Sequence, residues 1–138
     1  MTGRRLDPGL VEPPYPLQEL LGMELTAWSE GAACVELPLT RVLMNRQGLP
    51  HGGIHATLLD TAMGYAGCYT GDPARRQMAL TLSLTVNYLG QATGSRLIAE
   101  GRKAGGGRKT YFAEGTVRDD TGGLVATATG VFRYRGIG

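Results

Sequence analysis

From Gly52 to Cys68 the chain reads GGIHATLLDTAMGYAGC, a stretch with one acid, Asp60, and with no proline, lysine or arginine. At 1.5 Å of rise per residue it is long enough for a helix of about 25 Å. It is apolar or small nearly all round, so it is not a surface helix with one wet face. Something must wrap it.

The C-terminal half of the chain has the pattern of a wrapping. From Met78 to Tyr88 the residues alternate without a break: Met78, Leu80, Leu82, Leu84, Val86 and Tyr88 fall on one face, and Thr81, Ser83, Thr85 and Asn87 on the other. Two hairpins come next. Residues 95–104 turn through Gly105-Gly106-Gly107 into residues 109–118, which turn through Asp119-Asp120-Thr121-Gly122-Gly123 into residues 124–134. In the last strand Leu124, Ala126, Ala128, Gly130, Phe132 and Tyr134 share a face, and the small ones leave room for a helix.

On the other side of the helix, MELTAW (23–28) and ACVELPL (33–39) alternate around Ser29-Glu30-Gly31 and predict a first hairpin. Residues 40–50 lack a period and read as a crossing loop. LQELLG, ending at Gly22, predicts a short helix. Before it, Pro8, Pro13, Pro14 and Pro16 predict an extended arm. The expected order is a short helix, two strands, one long buried helix and four strands in a meander. The fold class is α+β, a curved six-stranded antiparallel sheet around one central helix, which is the hotdog arrangement. Residues 1–22 form the arm and short helix, and 23–138 a single domain.

Composition narrows the function. A chain of 138 residues fits one domain, and 42% hydrophobic with 19% charged residues provides a core and excludes disorder. The 22 glycines show no G-X-Y period. Net charge is +2, from 12 Arg and 2 Lys against 12 acids, too balanced for a general nucleic-acid binder. Cys34 and Cys68 form no CxxC or metal spacing and suit a reducing compartment. The N-terminus lacks the apolar run of a signal peptide, and no apolar run reaches 18 residues, so a cytoplasmic protein without a membrane partner is expected.

NRQGLPHGGIHATLLDTAMGYA, from Asn45 to Ala66, resembles the Asn, Gly, His-Gly-Gly, Asp pattern of the hotdog acyl-CoA thioesterases, and more narrowly of the phenylacetic acid degradation type. The Asn stands six residues before the His of HGG and the Asp nine after it, and the likeness extends over nearly everything after Gly22. The resemblance implies a homo-oligomer, usually a dimer of dimers. It further implies acyl-CoA hydrolysis at subunit interfaces, with no metal and no separate cofactor, because coenzyme A is part of the substrate.

The residues themselves point the same way. A carboxylate in an apolar helix costs several kcal/mol unless it is paired, and Asp60 has no basic neighbour between His51 and Arg75. It lies on a stripe of small residues, Gly53, Ala56, Gly64 and Gly67, where a backbone or ligand can approach. The N–H groups of Gly52 and Gly53 point from the positive end of the helix and suit an oxyanion. Gly52 and Asp60 are about 12 Å apart along one helix, too far to act on one carbonyl carbon. One site must then combine Asn45, His51 and Gly52 of one chain with Asp60 and Thr81 of another.

Asn45 would donate its amide to the thioester oxygen or serve as a turn residue. His51 would shape the acyl pocket or hold the loop. His51 and His55 have i, i+4 spacing but lack the glutamate and further ligands of a zinc site. By the family resemblance, aligning Val86-Asn87-Tyr88 puts Thr81 where related enzymes orient the attacking water, with Ser83 as the competing candidate. Arg102, Lys103, Arg108 and Lys109 flank the glycine turn and suit the phosphates of coenzyme A. The absence of a Gly-x-Ser-x-Gly elbow disfavours a serine hydrolase. Two other readings stay open: a non-hydrolytic acyl-CoA-binding hotdog protein, and a hotdog hydratase or dehydratase acting on enoyl or hydroxyacyl thioesters.

Overall fold

The computed structural model describes residues 6–136, so the start of the arm and the last two residues lie outside it. The first described residues run extended apart from one 3-10 turn at Pro8–Leu10, as their prolines require. Helix α1 (Pro16–Leu21) ends at Gly22, whose φ of 84° is left-handed and closes the last turn. Strands β1 (Glu24–Ser29) and β2 (Ala32–Pro38) form the expected hairpin. After a second 3-10 turn at Arg41–Leu43 comes α2 (Gly52–Ala66), then β3 (Ala79–Tyr88), β4 (Arg96–Gly106), β5 (Thr110–Asp119) and β6 (Leu124–Tyr134). The six strands form one antiparallel sheet in the order β1-β2-β4-β5-β6-β3, with α2 against it: the hotdog fold.

The last four strands do not run as the expected meander. Only β4, β5 and β6 meander, while β3 lies beyond β6, pairing Ala79 with Tyr134 through to Tyr88 with Ala126. The reason is occupancy: β4 is already taken by β2 on one side and β5 on the other, so it has no edge for β3. The link from β3 back to β4 is pinned by Asp119, which is almost wholly buried. Its carboxylate accepts N–H bonds from Thr93 and Gly94 in the link and from Thr121 and Gly123 in its own turn. The Thr121 hydroxyl and these amides hold its carboxyl well below the usual Asp range.

The sheet is shaped to seat α2. Leu58, Leu59, Ala62, Met63 and Ala66 are fully buried. Beneath them a Cβ on Gly101 would stand 2.5 Å from the carbonyl carbon and oxygen of Ala62, backbone that cannot swing aside. Gly101→Ala is therefore expected to cost about 1–3 kcal/mol through overpacking, read as a lower urea midpoint at unchanged slope. An unchanged midpoint would mean that the helix can back away from the sheet.

At the far end of α2 the last carbonyls, which lack helical partners, meet aromatic donors. Trp28 Nε1 donates to Tyr65 O at 2.8 Å, Tyr111 Oη to Met63 O and Gly64 O at 3.1 and 3.0 Å, and Tyr134 Oη to Gly67 O at 2.9 Å. Burial pushes the Tyr111 phenol far above its usual range, so it remains a donor. Wrapping is not complete, however. Gly53, Ala56, Asp60 and Gly64, the small-residue stripe, stay at least partly exposed in the single chain.

Candidate active site

Asp60 stands in the middle of α2 on that open stripe, half-buried rather than enclosed. Its Oδ1 accepts a hydrogen bond of 2.6 Å from Thr81 Oγ1, and among the described residues no Lys or Arg forms an ion pair with it. Thr81 reaches it because β3 does not alternate without a break. A bulge between Thr81 and Ser83 shifts the register, so Ala79 packs on the core before it and Leu84 and Val86 after it. Leu80 and Leu82, expected on the apolar face, are 51% and 57% exposed. Ser83 is exposed and makes no side-chain hydrogen bond among the described residues, so geometry separates the two candidates and brings Thr81 to Asp60.

Asp60 and Thr81 open into a pocket of about 420 Å³ whose walls include Tyr15, Trp28, Tyr65 and Phe132. Its volume lies in the range of small-molecule sites. A second cleft of about 360 Å³, at the N-terminal end of α2, is lined by Asn45, Gly52, His55 and Tyr88. One chain thus carries the candidate residues as two separate halves, at the two positions that the helix rise keeps about 12 Å apart.

In the second half the polar groups are sorted by the local backbone. Asn45 is a turn residue: its Oδ1 accepts from the N–H of Gln47 at 2.8 Å and of Leu49 at 3.1 Å, which leaves its Nδ2 as the group to donate. His51 is the N-cap of α2, its Nδ1 accepting from Gly53 N at 2.9 Å. That bond uses the Gly53 N–H, so of the two glycine amides only Gly52 N–H is without an acceptor among the described residues. Tyr88, whose place in the alternation marks it only as an apolar strand residue, donates from Oη to Gly52 O at 2.6 Å and lies edge-on to His55. Burial lowers the His55 pKa, which favours the neutral imidazole. Among the described residues no cluster of three His, Cys, Asp or Glu side chains could hold a metal.

The basic group near the glycine turn is divided. Arg102 is exposed and pairs across the strands with Glu114. Lys103 projects to the other face, its Nζ 6.0 and 5.6 Å from the ring centres of Tyr111 and Tyr134. Arg108 and Lys109 lie exposed at the turn without an ion pair among the described residues. Cys34 and Cys68 are free and buried, and burial pushes the Cys68 thiol up to about 11.

Comparison with known proteins agrees with this fold. The family model described as the thioesterase superfamily matches residues 47–126, from the crossing loop to the start of β6. A protein of Archaeoglobus fulgidus named "Putative esterase" is 30% identical over 115 residues, 83% of this chain and 71% of that protein. The BH2602 protein of Bacillus halodurans, solved with CoA, is 31% identical with a TM-score of 0.74, covering 89% of this chain and 78% of that one. The PaaI protein of the Escherichia coli phenylacetic acid degradation operon has a TM-score of 0.76 over 87% of this chain and 84% of its own. At 23% identity it speaks for the fold alone. The chain belongs to the thioesterase superfamily.

Proposed function

We propose that the protein is an acyl-CoA thioesterase, releasing a free acid and coenzyme A, and that aryl-acyl thioesters are among its substrates. The observation that carries this is the Asp60 carboxylate, held by Thr81 at 2.6 Å in the wall of a partly aromatic pocket, with no ion-pair partner among the described residues. Thr81 occupies Oδ1, which leaves Oδ2 to take a proton from water or to attack the thioester carbon directly. Gly52 N–H of a second chain, at the positive end of its α2, would receive the developing oxyanion, with Asn45 Nδ2 beside it.

A homo-oligomer, built as a dimer of dimers, is part of the proposal. The small-residue stripe around Asp60 is open in one chain, and among the described residues β3 pairs on one side only while exposing Leu80 and Leu82. An unpaired apolar edge of that length favours a second copy. The CoA-bound relative supports coenzyme A as the carrier.

Thiol release over a panel of aliphatic and aryl-acyl thioesters tests the reading. Hydration of an enoyl thioester without hydrolysis would favour the hydratase alternative, and binding without turnover a carrier protein.

Arg108 and Lys109 are assigned the nucleotide end. Changing both to alanine should raise KM for coenzyme A thioesters with less effect on kcat, because remote binding acts alike in ground and transition states. Pantetheine thioesters, which lack the nucleotide phosphates, should be unaffected. Equal losses on both substrates would reduce this pair to a solvated turn.

A further inference from the structure

Glu12, Trp28, Cys68 and Arg76 line two cavities at once: the pocket of about 420 Å³ beside Asp60 and a hollow of about 60 Å³ next to it, bounded by residues 69–73. These four side chains are therefore the partition between the two spaces. Two of them are fixed. Trp28 is buried, bonded to Tyr65 O, and held edge-on between the rings of Tyr65 and Tyr69 at 5.2 and 5.6 Å. Cys68 comes just after the end of α2 and is buried.

The other two belong to irregular segments. Glu12 lies in the proline-rich arm and Arg76 in the connection to β3, and they meet as an ion pair, Arg76 Nε to Glu12 Oε1 at 3.6 Å, with side chains 46% and 23% exposed for Arg76 and Glu12. The arm is laid along the pocket by Tyr15 Oη at 3.4 Å from Thr61 Oγ1. Gln18, buried, donates to Tyr65 Oη and accepts from Tyr15 N. The pocket residues of α2 and its end, namely Asp60, Thr61, Gly64, Tyr65 and Cys68, run from the middle of the helix toward its C-terminus, so the partition lies away from the carboxylate.

We infer that the Glu12–Arg76 ion pair closes the end of the Asp60 pocket and sets the length of acyl group that the chain accepts. This rests on the reading of that pocket as the acyl site. Acyl groups that end before the partition fit without disturbing it. Longer ones must part the two side chains to enter the hollow behind. An exposed ion pair resists this only modestly, so it sets a graded limit rather than a hard wall.

The test compares wild type, Arg76→Ala and Arg76→Lys on straight-chain acyl-CoA thioesters from acetyl to palmitoyl. Wild type should lose kcat/KM beyond one chain length. Arg76→Ala should raise the ratio of long-chain to short-chain efficiency about fivefold, the scale of an exposed ion pair. Arg76→Lys, which keeps a cation for Glu12, should retain the wild-type limit. Trp28, the single tryptophan of the sequence, gives a second readout, because fluorescence titration with non-hydrolysable acyl-CoA thioethers tracks occupancy of the pocket it lines. An unchanged length profile in Arg76→Ala overturns the inference and leaves the hydrolase reading standing. A length shift in Trp28 titrations with no turnover of any thioester keeps the inference and removes the hydrolase reading. No response of Trp28 to any thioether overturns the inference.

Discussion

Asp60→Asn is expected to lower kcat/KM on the best thioester by about 10²–10⁴-fold, the range set by loss of a general base. The amide is nearly isosteric and can still accept from Thr81 Oγ1, so the contact between α2 and β3 at that position is kept. It also removes the cost of a half-buried charge that has no ion pair among the described residues, so the melting temperature should hold or rise. Turnover and thermal unfolding measured on the same preparation separate the two roles. Near wild-type hydrolysis would remove Asp60 from the chemistry, and a collapse of the melting temperature would make it structural.

Gly52→Pro should cost about 10²–10³-fold in kcat, the scale measured for removing one oxyanion donor. The substitution deletes the N–H and little else. Gly52 is the first helical residue, where proline is favoured. His51 before it already has the extended backbone, φ −61° and ψ 136°, that precedes proline readily. A Cβ there would meet the Tyr88 ring at ordinary contact distances, the nearest 3.4 Å. Circular dichroism should therefore be unchanged while thiol release falls. Full activity in a folded Gly52→Pro protein would place the oxyanion elsewhere.

The long helix, the hairpins on either side of it and the fold class were legible because they rest on local patterns: apolar composition over Gly52–Ala66, alternation in the strands, and glycine-rich turns. The position of β3 was not, because its partner β6 lies some 40 residues on, and no turn signal reports a pairing of that range. The bulge between Thr81 and Ser83 was equally hidden. An alternating string of residues looks the same whether or not one of them is extruded, yet that one residue decides that Thr81 meets Asp60 while Leu80 faces outward.

Within the site, Asp60 was visible as an acid without a local basic partner. Which glycine amide remains free was not, because it depends on the ring of His51 folding back on Gly53. The aromatic donors Trp28, Tyr111 and Tyr134 converge on the end of α2 from three different strands, and the arm residues Glu12 and Tyr15 reach the pocket only through the tertiary fold. None of these leaves a periodic trace in the sequence.

In the proposed site Asp60 comes from one chain and Gly52 from another. Subunit mixing probes this sharing: Gly52→Pro and Asp60→Asn chains, each nearly inactive alone, are co-expressed and assayed as assembled oligomers. In a mixed dimer one site unites the intact Gly52 of one chain with the intact Asp60 of the other, and the second site carries both lesions. With random pairing half the dimers are mixed, so a shared site should recover about one quarter of wild-type activity per chain. Mixed oligomers that stay as inactive as either parent, or a wild-type protein fully active as a monomer, would contradict it.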